Sequence, residues 1–218
     1  MEEIKNVERL AEENSDIAGH EKDAAIEMKA LAKQTVKRAK AREMLVKTEI
    51  ELAIIRKRLA GKSKKLVERK EKSKILLKFT DDILKAEKHQ AIYNENVAKV
   101  QTEIAEIQRK IAHIETEISE VDVKVANNKL YEAKERGNLA KKQFAYVKLA
   151  NTNAPGEKIS KAEEAYLRIQ KQFTKFEKDA LELNKNISIK QNKLADLKKE
   201  LSVKLSEREK IRPLSNSS

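Results

Sequence analysis

Cysteine is absent from the 218 residues. Disulfides, thiolate metal sites and a cysteine nucleophile are therefore excluded. Tryptophan is also absent, aromatics make up 4% of the chain, and there are only 4 Gly and 2 Pro. So few rings cannot fill a wide core, and so few breakers leave long stretches free to be helical. No continuous apolar run approaches the roughly 20 residues that a bilayer requires; runs such as Leu52 to Ile55 stop after about one turn. The start, Met1-Glu2-Glu3, lacks the basic-then-apolar order of a secretory signal. The expectation is a soluble intracellular protein, cytoplasmic by default.

Charge is what the chain has in quantity. Asp, Glu, Lys and Arg are 39% of it, and 48 basic against 36 acidic residues leave a net +12 and a pI near 9.6. A surplus of this size points to an anionic partner: phospholipid headgroups, nucleic acid or an acidic protein surface. Disorder is not the expectation, because 39% of residues are hydrophobic and they recur in register.

That register is clearest from Phe79 to Asn128. Phe79, Ile83, Ala86, Gln90, Tyr93, Val97, Val100, Ile104, Ile107, Ile111, Ile114, Ile118, Val121, Val125 and Asn128 alternate spacings of four and three. A strand cannot bury this pattern on one face, whereas a helix can turn it toward partner helices. Ile159, Ala162, Tyr166, Ile169, Phe173, Phe176, Ala180, Leu183, Ile187, Lys190, Leu194, Leu197 and Leu201 repeat the spacing. Ile4, Val7, Ala11, Ala18, Ala25, Met28 and Ala32 carry a less regular seam near the start.

Breakers divide the chain into three. Gly61 with Ser63 as a following cap predicts one turn, and Asn151-Thr152-Asn153-Ala154-Pro155-Gly156 predicts another. Ser160 with Glu163 fits a capping box at the start of the third helix. Asn14-Ser15-Asp16 with Gly19 is a candidate kink in the first helix, and Thr80-Asp81-Asp82 a candidate interruption of the second. The predicted fold is all-α: three long antiparallel helices, about residues 2–60, 63–150 and 155–212, in one elongated coiled-coil domain spanning 1–212. The middle helix is the longest, and 213–218 form a disordered tail. Folding back from the two turns sets Ile4 opposite about Val121 and Ile211 opposite about Val97. All three helices then overlap between those positions only, leaving two-helix arms. A two-fold homodimer through this thick middle would cover Ala105, Ala112 and Ile92, which lie beside the main seam.

Positive charge is clustered. Arg56, Lys57, Arg58, Lys62, Lys64, Lys65, Arg69, Lys70, Lys72, Lys74 and Lys78 face only Glu68 and Glu71, a net +9 within 23 residues. A smaller group, Lys141, Lys142, Lys148, Lys158 and Lys161, surrounds the second turn. At about 1 kcal/mol per Lys or Arg near an anionic bilayer, either cluster supports salt-sensitive peripheral binding. The candidate lipid- or anion-binding residues are Arg56, Lys57, Arg58, Lys62, Lys64, Lys65, Arg69, Lys70, Lys72, Lys74, Lys141, Lys142 and Lys158. The first helix has an acidic polar face, which suits packing better than membrane insertion.

No catalytic constellation is present. His20, His89 and His113 lack the spacing of a helical metal site, and Gly19, Gly61, Gly137 and Gly156 are isolated. Neither a metal nor a cofactor is expected, and enzymatic activity is not. Gln90, Asn128 and Lys190 on the seams are read as polar residues that set register. Nucleic acid is disfavoured as a partner, because the basic clusters lack stacking aromatics.

Three helices, a thick overlap and basic ends resemble the BAR domain family. Asn153-Ala154-Pro155-Gly156-Glu157-Lys158, followed by Ile159, Ala162, Glu163 and Glu164, looks like its junction between second and third helices. The resemblance implies a crescent homodimer that binds anionic membranes through basic residues and senses or imposes curvature. It would assign the Arg56–Lys78 cluster, with Lys141, Lys142 and Lys158, to lipid contact. A second resemblance is to the membrane-binding hairpin proteins of the ESCRT-III and phage-shock type, which polymerise. In those the hairpin comes first in the chain, whereas the strongest registers here come later. A further alternative is a structural coiled-coil adaptor for another helix or a cytoskeletal element.

Overall fold

A computed structural model describes residues 2–73, 81–152 and 154–211, with side chains from residue 5 onward except that of Asp81. It is all-α. Helix α1 spans Glu2–Lys72, α2 spans Asp81–Asn151 and α3 spans Gly156–Lys210. Phe79, Thr80, Asn153, Lys74, Lys78 and the tail after Ile211 lie outside the described residues.

The second predicted turn is where the sequence puts it. Thr152 donates its N–H and hydroxyl to the Lys148 carbonyl, and the Pro155 carbonyl accepts the first N–H groups of α3 from Lys158 and Ile159. The first turn is not. Helix α1 runs through Gly61 to Lys72, so α1 and α2 are both 71 residues long and the middle helix is not the longest. A lone Gly costs a helix about 1 kcal/mol relative to Ala. Contacts on either side of it outweigh that: Ala60 and Val67 are buried, Lys64 holds Glu95 at 2.8 Å, and Lys70 holds Glu87 at 2.7 Å. Asn14-Ser15-Asp16 and Gly19 likewise lie within continuous helix.

The longer α1 changes what faces what. Side-chain bonds join Lys70 to Glu87, Glu71 to Lys88, Lys64 to Glu95, Glu43 to Thr116, Arg42 to Glu115 and Glu21 to Arg136. In each of these pairs the two residue numbers total 157 or 159. This numbering sets two lines of small residues level with each other. On α1, Ala18, Ala25, Ala32, Val46, Ala53, Ala60 and Val67 are buried at multiples of seven. On α2, Leu84, Ala91, Ala98, Ala105, Ala112, Ser119, Ala126, Ala133 and Ala140 are buried at every seventh position. Short side chains let two helix backbones approach closely, and they leave few rotamers to be ordered. The same closeness places a Cβ built on Gly137 3.4 Å from the Cβ of Ala18. Ala105 and Ala112, expected to need a second copy for cover, are thus buried within one chain.

The chain divides into two compact units. Unit 1 is Met1–Lys37 with Glu117–Lys190, and unit 2 is Arg38–Thr116 with Gln191–Ser218. In unit 1 all three helices contribute. Val7 and Leu10 line one shallow groove with Phe144 and Val147, where an α1 ending near Ala60 would have set Ile4 against Val121. Tyr146 stacks on Tyr166 with centroids 6.3 Å apart, Tyr131 on Phe176 at 6.1 Å, and Asn128 donates to the Phe176 carbonyl at 2.8 Å. Arg136 bridges, bonding Glu21 of α1 while its guanidinium lies 5.6 Å from the Phe173 ring of α3. Lys190 holds Glu117 at 2.9 Å, so Asn128 and Lys190 both tie α2 to α3. Gln90, by contrast, is exposed and bonds Asn94 on its own helix.

In unit 2 the core is Val46, Ala53, Ala60 and Val67 of α1 with Ile104, Ile107, Ile111 and Ile114 of α2 and the small residues between them. Lys204 reaches Glu103 at 2.9 Å. By that register α3 ends level with about Val97. Among the described residues, the last turns of α1 and the first turns of α2 have only each other there, and Ile83 is exposed. A two-helix arm was expected at both turns. At the second turn all three helices meet instead, as the α1–α2 groove at Phe144 and the Tyr146–Tyr166 stack record.

Candidate anion-binding face

Apart from Lys74 and Lys78, which lie outside the described residues, the basic cluster falls on the last turns of α1, in unit 2. Arg58, Lys62, Lys65, Arg69 and Lys72 follow one another at spacings of four and three, so they share one side of the helix. All five are exposed. The buried line Ala53, Ala60 and Val67 marks the side turned to α2, and the basic row lies opposite it. Arg56 and Lys57 are also exposed, but they flank the seam, fourteen and seven residues before Lys70 and Lys64, and Arg56 lines a groove with Asn94 and Ala98 of α2. Lys64 and Lys70 are placed differently. Both are half-buried and spend their ammonium groups on Glu95 and Glu87 of α2. The hydrogen bond and charge of Glu95 hold the Lys64 ammonium above its ordinary pKa. Lys64 and Lys70 therefore brace the face instead of presenting charge from it. Lys74 lies outside the described residues.

Apolar side chains stand beside the cations. Ile55, Arg58, Leu59, Gly61, Lys62 and Lys65 line an open groove on the surface of α1. A Cβ on Gly61 would meet nothing within 4 Å, so its missing side chain contributes to the dip. Long Lys and Arg stems can lie along such apolar surface while their charges reach outward.

The smaller group belongs to unit 1. Lys141, Lys142 and Lys158 are exposed. Lys161 is paired with Glu157 at 2.6 Å, and the Lys148 ammonium lies 5.6 Å from the Phe144 ring. Among the described residues no group of His, Cys, Asp or Glu has the arrangement to hold a metal ion, and no helix is long and apolar enough to cross a membrane. His113 stands near Glu43, at 3.6 Å.

The thirteen residues singled out from sequence thus divide three ways: ten exposed cations, the two bracing lysines and Lys74. The seam with α2 makes this division, and sequence reading could have found it by reading α1 at every seventh residue. No protein-family model matches the chain, and no curated protein matches it.

Proposed function

We propose that the chain is a non-enzymatic, BAR-like scaffold that binds anionic membranes peripherally from the cytoplasm and shapes or senses their curvature. In this reading the helices run antiparallel in a coiled-coil bundle and the chain works as a homodimer. Support for the helix directions comes from the constant totals of the α1–α2 pairs. The observation that carries the membrane reading is the exposed row Arg58, Lys62, Lys65, Arg69 and Lys72 on one side of α1. Five cations on one flank are worth about 1 kcal/mol each near an anionic bilayer, and less as salt rises. Co-sedimentation with vesicles tests this. Binding to phosphatidylserine vesicles and not to neutral ones is expected, with R58E/K62E/K65E/R69E reducing it more than tenfold while helicity is unchanged. Equal binding to both vesicle types, or to neither, removes the reading.

One observation favours a second reading, a filament-forming hairpin of the ESCRT-III or phage-shock type. Helices α1 and α2 are equally long, share the small-residue seam and precede α3. Electron microscopy of lipid-bound protein separates the two: discrete particles fit the dimer, and extended polymers fit the hairpin.

A further inference from the structure

Every seventh residue of α1, one place before the buried line, is apolar and exposed in two blocks. In unit 1 the block is Leu10, Ile17, Ala24 and Leu31, and in unit 2 it is Leu45, Leu52, Leu59 and Leu66. Leu31, Leu45 and Leu59 are 64%, 65% and 63% exposed, large values for leucines that recur in register. Arg38 holds the same position between the blocks. On α2 the equivalent residues are Ile104, Ile111 and Ile118, one place before Ala105, Ala112 and Ser119. They are buried or half-buried beside Glu103 and Glu117, the residues that hold Lys204 and Lys190 of α3. On α1 the corresponding residues are all exposed.

The surroundings of the two blocks have opposite charge. Between Leu10 and Leu31 six acidic residues stand against two basic, a net −4. Between Leu45 and Leu66 seven basic residues stand against two acidic, a net +5. Like blocks would repel, and unlike blocks attract.

We infer that the acid-flanked block of one chain packs on the base-flanked block of a second copy, in the reversed sense that α1 and α2 themselves follow. Only one heptad register in that sense matches all four positions of each block: Leu10 with Leu66, Ile17 with Leu59, Ala24 with Leu52 and Leu31 with Leu45. Flanking residues follow the rule of the α1–α2 pairs, which sets Glu13 against Lys62. Glu13 now lies 3.7 Å from Arg9 in an exposed pair, one that yields readily to a second cation. The inference names the self-association surface of the proposed scaffold and rests on that reading only for its being more than one chain.

The absence of cysteine makes a direct test possible on the full chain without lipid. Proteins carrying Ile17→Cys and Leu59→Cys are oxidised separately and as a mixture. A disulfide-linked pair is expected in the mixture and not in either protein alone. No link in the mixture, or equal yields in all three samples, overturns the inference. Sedimentation equilibrium gives the second measure: Leu31→Glu with Leu59→Glu is expected to weaken association at least tenfold toward the 25.0 kDa single chain. Circular dichroism should be unchanged, both sites being exposed. Glu13→Lys should weaken association and Lys62→Glu in the same protein should restore it. Wild-type protein that is single-chained at every concentration, or association indifferent to both leucines, overturns the inference. Vesicle binding that survives loss of self-association leaves the membrane reading standing, so the two fail separately.

Discussion

The two faces of α2 are packed by different rules. Toward α1 its residues are small, recur every seventh position and are buried; Ala112 is 1% exposed. Toward α3 the side chains are large, and although Ile107, Ile111 and Ile114 are buried, not one described residue of α3 is. Tyr166, Phe173, Phe176 and Leu183 remain half-buried. Small side chains can be enclosed by a single neighbour that comes close, whereas large ones hold their neighbour off and keep an edge in water. The first face is rigid by proximity, and the second relies on the volume of what it buries.

The largest expected effect strikes the face built on volume. Ile111→Ala should lower stability by about 3 kcal/mol, the cost of a lost side chain and a partly collapsed cavity, read from the urea midpoint. Next comes the opposite change on the other face. Ala112→Leu, with no room to expand, should cost about 2 kcal/mol, while Ala180→Leu on half-buried α3 should stay within about 0.5 kcal/mol. Equal effects at Ala112 and Ala180 would erase the distinction drawn here.

Smaller effects sharpen it. Gly61→Ala lies off both faces, meets nothing and should raise stability by about 0.5–1 kcal/mol through helix propensity; a thermal melt measures it. The smallest effect belongs to Asp122. Burial pushes its carboxyl above the ordinary range, so the folded chain binds this proton more tightly than the unfolded one. The stabilisation is present below the unfolded pKa and is lost as pH rises through the folded one. Asp122→Asn should therefore raise the melting temperature at pH 7, by less than Gly61→Ala does, and leave it unchanged near about pH 3. A rise of the same size at both pH values would rule out the carboxyl as its cause.

How much of this was legible in the sequence follows from the same contrast. Large apolar residues at spacings of three and four announce themselves, so the α3 seam from Ile159 to Leu201 and the buried run of α2 from Ile104 to Ile114 were readable. Alanine carries little hydrophobic signal and suits any helix surface, so the line from Ala18 to Val67 was read only in part, at Ala18, Ala25 and Ala32. With that line went the length of α1, since Gly61 reads as a turn unless Ala60 and Val67 are recognised as buried on either side of it. The basic cluster was visible as composition. Its division into an outward row and two inward braces was not, because Lys62 and Lys64 look alike until the direction of α2 is known.

A ladder of near-identical rungs has a weakness: sliding the first helix along the second by seven residues would leave nearly every alanine matched to another small residue. Charge closes off both directions. One slip brings Glu71 against Glu95, and the other brings Lys64 against Lys88, where the native alignment gives each of the four an opposite partner. Alanines make the joint tight, and a few salt links at its end decide where it locks.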